Sequence, residues 1–337
     1  MITLNNGMKI PLITLNNGMK IPMIGLGTHK MVDPIEVTYN AIKEGIRLID
    51  TATRYGNQKE VGEGVNDAII DKTIFIKRKN NEKRGKKLEE KEGICKREDL
   101  IIVGKVWIQD RQDPERALRE TLDCFGIDYI DIYLDHYPYG KDYRKEEIKD
   151  PFMPNISIYE FWPKMEALVD KGLAKAIGVS NYNIQALSNL LSFCRIKPVV
   201  NEVEFNPYYY QKDLKDFCDK ENIVIIAYTP LVHGIVARTY IAEHNGEFDV
   251  FEEKIFKELA EKYNKNVGQI ILSWLHHVGV VPIPATNKTR DRIKQNIEGL
   301  NFQMEQNDYD RISQFCENCR QKKFVVGNKY FGINNFG

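Results

Sequence analysis

GIRLIDTATRYGNQKEVG, residues 45–62, is the stretch whose reading decides the fold. Arg47-Leu48-Ile49 reads as a buried strand ending on an acid, Asp50; a short polar loop then presents Tyr55, and a helix starts near Gln58. Two readings fit the stretch alone. Either Asp50 caps the next helix and Tyr55 is a rim aromatic, or both belong to a catalytic group carried on a strand end.

Outward from this stretch, short apolar runs alternate with helical periodicity. The runs are IGLG at 24–27, RLID at 47–50, LIIVGK at 100–105, YIDIYLDH at 129–136, KAIGVSN at 175–181, VVNEVE at 199–204, IVIIAY at 223–228 and VVPIPA at 280–285. Helical patterns cover 34–44, 114–125, 159–171, 184–191 and 211–221. Buried strands alternating with helices predict an α/β chain with a parallel sheet. Eight such units over 1–337 predict a single (β/α)8 TIM barrel domain. An open doubly wound sheet usually carries G-x-G-x-x-G after its first strand. Here Gly25-Leu26-Gly27 is followed by Thr28, His29 and Lys30, which lacks the third glycine.

Three segments depart from the alternation. ITLNNGMKIPL at 2–12 is repeated as ITLNNGMKIPM at 13–23, and each copy reads as a β-hairpin turning at Asn-Gly. One copy is expected to be structural and the other spare. Residues 71–93 are rich in Lys, Arg and Glu without apolar period, and read as a solvated insertion. The aromatic, Gly/Asn-rich tail at 320–337 reads as a loose terminus or a C-terminal loop over the barrel mouth.

Composition narrows the function. Lys+Arg and Asp+Glu balance at 48 each, so bulk charge argues for neither nucleic acid nor an anionic membrane as partner. There is no long uncharged apolar run, and MITLNNGMKI lacks the basic and apolar regions of a leader, so a cytoplasmic protein is expected. Of six cysteines, only Cys316 and Cys319 stand at CxxC spacing, and no nearby histidine completes a zinc site. Reduced thiols and no metal are expected.

In a barrel, reactive side chains project from strand C-termini. Those ends carry Asp50 on the second strand, Lys105 on the third and His136 on the fourth, with Tyr55 on the loop after Asp50. Such a group can protonate a carbonyl oxygen. A phenol has a pKa of about 10; an ammonium beside it, Lys105, is expected to lower that value while Asp50 holds the ammonium. A neutral His136 would orient the substrate oxygen, and Tyr55 would give the proton. A hydride donor is still required.

The stretch 45–62 resembles the signature of the aldo-keto reductases, on G-x-R-x-x-D-x-A followed by Tyr55, Gln58, Val61 and Gly62, with Ile46 where an aromatic is usual. The resemblance runs over most of the chain from Ile13, outside 71–93, and the segments CRIKPVVNEVEFNPYY and NKYFGINNF resemble the aldose reductase and xylose reductase branch. It implies a (β/α)8 barrel that uses NAD(P)H, with catalytic Asp50, Tyr55, Lys105 in VGKVW and His136 in DHYP. It further implies that Ser180 and Asn181 of GVSN hold the nicotinamide carboxamide. Glu202 stands where Gln is usual, able to accept from that group but not to donate to it. Tyr228 would stack on the nicotinamide, the Thr229–231 backbone, ending at Leu231, would face the pyrophosphate, and Thr286, Asn287, Arg292 and Asn296 would lie at the adenosine end.

NADPH is the expected cofactor, with NADH as second candidate. For the substrate, a small carbonyl compound, Trp107 matches a pocket tryptophan of the family it resembles, while His29 and Tyr137 stand where Trp is usual, which implies a more polar pocket suited to hydroxylated aldehydes such as aldoses. A monomer or weak homodimer is expected. Two rivals remain at this point. A catalytically silent nucleotide-binding barrel could serve as a sensor or binding subunit. A Schiff-base aldolase using Lys105 would leave Tyr55, Ser180-Asn181 and Tyr228 without a role.

Overall fold

The computed structural model describes residues 1–4, 7–69, 94–138, 156–232, 248–286 and 290–319. The segment 71–93, the tail 320–337 and Asn287 lie outside the described residues. Two antiparallel hairpins come first: β1 (Ile2–Thr3) with β2 (Lys9–Ile10), and β3 (Leu12–Thr14) with β4 (Lys20–Pro22). Eight buried strands follow: β5 (Leu26–Gly27), β6 (Leu48–Asp50), β7 (Ile101–Val106), β8 (Ile130–Asp135), β9 (Ala174–Ser180), β10 (Val200–Glu204), β11 (Val224–Tyr228) and β12 (Val281–Pro282).

These strands pair in chain order, each parallel to the next. The sheet curls until its edges meet. Across the seam the Gly25 N–H donates to the Pro282 carbonyl at 3.0 Å. A Cβ on Gly27 would stand 2.7 Å from the Ile283 carbonyl oxygen, so only glycine lets the first and last strands approach this closely. The predicted barrel is therefore closed, and the eight expected strands are the eight observed.

Helices sheathe the barrel: α1 (Pro34–Glu44), α2 (Gln58–Ala68), α3 (Pro114–Phe125), α4 (Ile158–Asp170), α5 (Ile184–Leu191), α6 (Lys212–Lys220), α7 (Lys254–Tyr263), α8 (Val267–His277), α9 (Arg290–Glu298) and α10 (Gln306–Asn318). Local signals set their ends. At α3, the Asp113 carboxylate accepts the Arg116 N–H at 3.0 Å, Pro114 takes the first helical position, and Gly126 closes the helix at φ 62°. Capping boxes of Ser157 with Glu160 and Asn266 with Gln269 start α4 and α8. Around the charged segment, the Ile94 N–H donates to the Ala68 carbonyl at 2.9 Å, so the chain re-enters beside the point where α2 ends.

Both hairpins dock on the end of the barrel opposite the strand C-termini. In the second copy, Asn16 donates to the Pro198 carbonyl just before β10, at 2.9 Å. The first copy is also docked, which corrects the expectation of a spare. Its Ile10 is fully buried, its Lys9 N–H donates to Asn301 Oδ1 at 2.9 Å, and its Leu4 packs over Gly45, where any Cβ would collide with it. Ile10→Ala should therefore destabilise the protein by about 2–5 kcal/mol in urea melts, the range for truncating a buried aliphatic side chain. An unchanged midpoint would mean that the first copy is dispensable after all.

Candidate active site

The C-terminal ends of β6, β7 and β8 bring three of the expected side chains together, and a short 3-10 turn, Thr53–Tyr55, supplies the fourth. Backbone ties fix this turn. Thr28 donates to the Asp50 carbonyl and Asn57 to the Thr28 carbonyl, each at 2.8 Å. Asp50 ends β6, Lys105 lies in β7 one residue before its end, and His136 follows β8 directly, its N–H donating to the Val106 carbonyl at 3.2 Å.

Lys105 is fully buried. Its ammonium donates to the Asp50 carboxylate and to the Thr51 carbonyl at 3.2 Å, and lies 3.2 Å from Glu202 Oε2. It also stands 5.3 Å from the centre of the Tyr55 ring and within hydrogen-bonding reach of the phenol. Burial works against the charge on Lys105, but Asp50, Glu202 and Tyr55 outweigh it and hold the ammonium's pKa above its ordinary value. Lys105 is a permanent cation in this setting.

Tyr55 behaves differently from the sequence expectation. Burial raises its pKa first; Lys105 pulls it down, while Asp50 and Glu202 push it up again. The net direction is above the ordinary phenol, because burial outweighs the pull of the one ammonium. The lysine's pull exists, but it does not make the free phenol acidic. Tyr55 is held in its protonated form, the form a proton donor needs.

Aromatic rings build the walls. His136 lies 6.0 Å from Tyr55 and 4.9 Å from Trp107, both edge to face, and stacks on Tyr137 at 5.8 Å. His29 lies 4.9 Å from Tyr55 on another side, and burial, Lys30 and Lys105 hold its pKa below the ordinary imidazole value, so it is neutral at pH 7. The three expected substrate residues, His29, Trp107 and Tyr137, thus surround the Tyr55–His136 pair.

A second group joins them. Ser180 donates to the Glu202 carbonyl at 2.8 Å. Asn181, at φ 64°, donates to the His136 carbonyl at 3.0 Å and accepts from the Tyr228 hydroxyl at 2.7 Å. Thr229 and Val232, both β-branched, take φ of 53° and 50° in the turn that holds Leu231. Such strain persists where surrounding structure imposes it, and it clusters at ligand sites. Glu202 does not face away toward a ligand alone; its carboxyl group turns to Lys105. Thr286 and Asn296 meet elsewhere, lining a small cavity with Gly25 and Ile293. There the buried Thr286 hydroxyl has no hydrogen-bond partner among the described residues, which suits a polar ligand atom. Arg292 is exposed on the first turn of α9, beside Arg290.

Two features were missed in the sequence. Arg54 places its guanidinium 5.4 Å from the Trp107 ring centre, at the pocket wall. A fully buried network also backs His136. Arg111 pairs with Asp135 and donates to the Tyr137 carbonyl at 3.1 Å, and the Tyr182 hydroxyl donates to Asp135 at 2.6 Å. The sequence signal was Asp135, which with Asp131 is one of two acids inside an apolar strand.

Known proteins match this chain along most of its length. Residues 23–317 match the model of the Aldo/keto reductase family. Aldose reductase C of Dictyostelium discoideum is 36% identical over 332 residues, covering 94% of this chain and 89% of the relative. The NAD(P)H-dependent D-xylose reductase XYR1 of Pyricularia oryzae is 34% identical over 326 residues, covering 92% and 90%. Among solved structures, a Bombyx mori aldo-keto reductase in complex with NADP superimposes with a TM-score of 0.77 at 31% identity, covering 96% of this chain and 97% of that one.

Removing the central cation tests the electrostatics directly. Lys105→Met leaves the two buried carboxyl groups facing each other without a counter-charge, and should cost about 3–5 kcal/mol of stability in urea melts at neutral pH. A change below about 1 kcal/mol would mean that Lys105 does not pair them in solution.

Proposed function

The chain belongs to the aldo/keto reductase family, and we propose that it reduces aldehydes and aldoses to alcohols with NADPH, and with NADH as the second cofactor. The observation that carries the assignment of roles is the convergence of Asp50, Tyr55, Lys105 and His136 on one barrel mouth, with Lys105 fully buried among them. The names of the relatives, aldose reductase and D-xylose reductase, support the substrate class. One barrel domain spanning the chain, acting in the cytoplasm as a monomer or weak homodimer without nucleic acid or membrane, fits the balanced charge. Among the described residues no helix is long and apolar enough to cross a membrane.

The dinucleotide fits the residues present. Ser180, Asn181 and Tyr228 form a hydrogen-bonded set beside Tyr55, with Glu202 beneath it, and would hold the nicotinamide. The strained Thr229 turn, with Leu231, would face the pyrophosphate, and Thr286, Arg292 and Asn296 the adenosine end. When bound, the reduced dinucleotide supplies the hydride for the carbonyl carbon. The chain's own residues do the rest. His136, packed edge to face against Trp107, donates a hydrogen bond to the substrate oxygen and fixes the carbonyl. Tyr55 gives its proton to that oxygen as negative charge develops on it, and the phenolate left behind is stabilised by Lys105. Asp50 keeps the ammonium aimed at the phenol. His29 and Tyr137 supply polar edges for substrate hydroxyls, beside the apolar face of Trp107.

Nicotinamide absorbance with xylose and with glyceraldehyde, using NADPH and NADH in parallel, tests the proposal. Wild type should oxidise NADPH with both substrates, and Tyr55→Phe should lose about 10²–10⁴-fold in kcat/KM. No oxidation of either cofactor would refute the reductase reading. Full activity in Tyr55→Phe would show that another group gives the proton.

A further inference from the structure

The residue that departs most from its surroundings is Glu202. It is a carboxyl group with 1% of its surface exposed, in the middle of β10, and it faces a second buried carboxyl group across a single ammonium. The groups around it come from every neighbouring element: Asp50 from β6, Tyr55 from the turn after β6, Lys105 from β7, Ser180 from β9 and Tyr228 from β11. Of these, Lys105 is the sole cation, and the serine and tyrosines are neutral at neutral pH. Two ionised carboxylates would leave this site with a net negative charge out of reach of bulk solvent, an arrangement that buried acid pairs avoid by retaining a proton.

Geometry says which acid keeps the proton. Asp50 makes the direct ion pair with the ammonium, which also donates to the Thr51 carbonyl at 3.2 Å. Glu202 Oε2 lies 3.2 Å from Lys105 Nζ, a longer contact than that of Asp50, and its carboxyl group neighbours the Asp50 carboxyl. We propose that Glu202 is a neutral carboxylic acid, donating its proton to Asp50, and acts as a positioning residue that keeps the Asp50–Lys105 pair charge-balanced beneath the nicotinamide site. Burial first, and Asp50 second, push the Glu202 carboxyl well above the usual carboxylate range, with Lys105 opposing. A neutral acid offers an oxygen that accepts from a carboxamide without adding charge next to Tyr55. Ionised, the same residue would set a second negative charge against Lys105 and weaken its hold on the phenolate. The carboxamide contact rests on the reductase reading above; the protonation state does not.

The linkage has a definite sign. A carboxyl whose folded pKa is raised binds more protons folded than unfolded. Its contribution to stability is therefore present below the unfolded pKa and is lost as pH rises toward the folded one. Glu202→Gln, which keeps the shape and stays neutral, should remove that loss.

Infrared spectroscopy of the cofactor-free protein at neutral pH should show a protonated-carboxyl band in wild type that is absent in Glu202→Gln. The Tm difference in favour of Glu202→Gln should widen as pH rises above the ordinary carboxylate range, until the protonated-carboxyl band is lost. Titrating NADPH against intrinsic tryptophan fluorescence should show wild-type affinity about tenfold weaker at a pH where the protonated-carboxyl band has gone than at neutral pH, while Glu202→Gln stays level. No protonated-carboxyl band in wild type overturns the proposal, without reference to any variant. So does a band that survives in Glu202→Gln and is lost in Asp50→Asn, or a Tm difference that does not change with pH. The infrared and melting measurements involve no turnover, so a failure of the reductase reading would show in the absorbance assay and leave them unaffected.

Discussion

A fully buried ammonium organises this protein. Lys105 is shut off from bulk solvent, so the fold supplies compensating groups: the Asp50 carboxylate and Thr51 carbonyl from one neighbouring strand end, and Glu202 from β10. A lone charge in such a place costs several kcal/mol, and removing one partner leaves the others exposed to the same penalty. β10 stands three strands from β7 in the sheet order, so Glu202 meets Lys105 only across the interior. The hydrogen bond between Gly25 and Pro282 and the bare Cα of Gly27 belong to the same requirement, since they close the curvature that brings distant strand ends to one mouth.

Another buried ion pair, Arg111 with Asp135, serves position more than stability. Arg111 and Asp135 are almost wholly enclosed, and Tyr182 completes the hydrogen bonding of the acid. Paired charges of this kind are weak evidence for added stability compared with an apolar filling. Their neighbours explain them better. Asp135 and Tyr137 flank His136, and Tyr182 follows Asn181, while Asn201 ties to both the N–H and the carbonyl of Tyr182. The network therefore fixes the backbone on either side of two site residues without touching the reacting atoms. Hydrogen bonds from Asn181 to the His136 carbonyl, and from Tyr228 to Asn181, then lock the proposed cofactor side of the mouth to the proton-transfer side. Side chains placed this way lose little freedom when a ligand binds, which is how a barrel mouth holds precise geometry on loops.

Much of this was legible in the chain. Each of the eight strands announced itself as a short apolar run, because a parallel strand is buried on both faces and needs no alternation. Asp50, Lys105 and His136 were conspicuous as charged or polar residues at the ends of such runs, where packing gives no reason for them. Arg54 gave no such signal, since an arginine on a polar loop is ordinary, and only its place over Trp107 distinguishes it. The repeat at 2–12 looked redundant because identical sequences invite one role. Docking against Gly45 and Asn301, which lie far along the chain, gives the first copy a site of its own.

The sequence by itself determined the order of the eight strands, and with it the barrel, because hydrophobic period and strand-end polarity are local properties. It also determined which side chains could do the chemistry. Tertiary structure alone decided their electrostatic state. Tyr55 was expected to be made acidic by its lysine, yet burial above all holds it protonated, and Glu202 faces Lys105 from the far side of the barrel. A pKa depends on distance and desolvation in three dimensions, and strand ends separated by 97 positions, Lys105 to Glu202, acquire a distance only when the sheet closes.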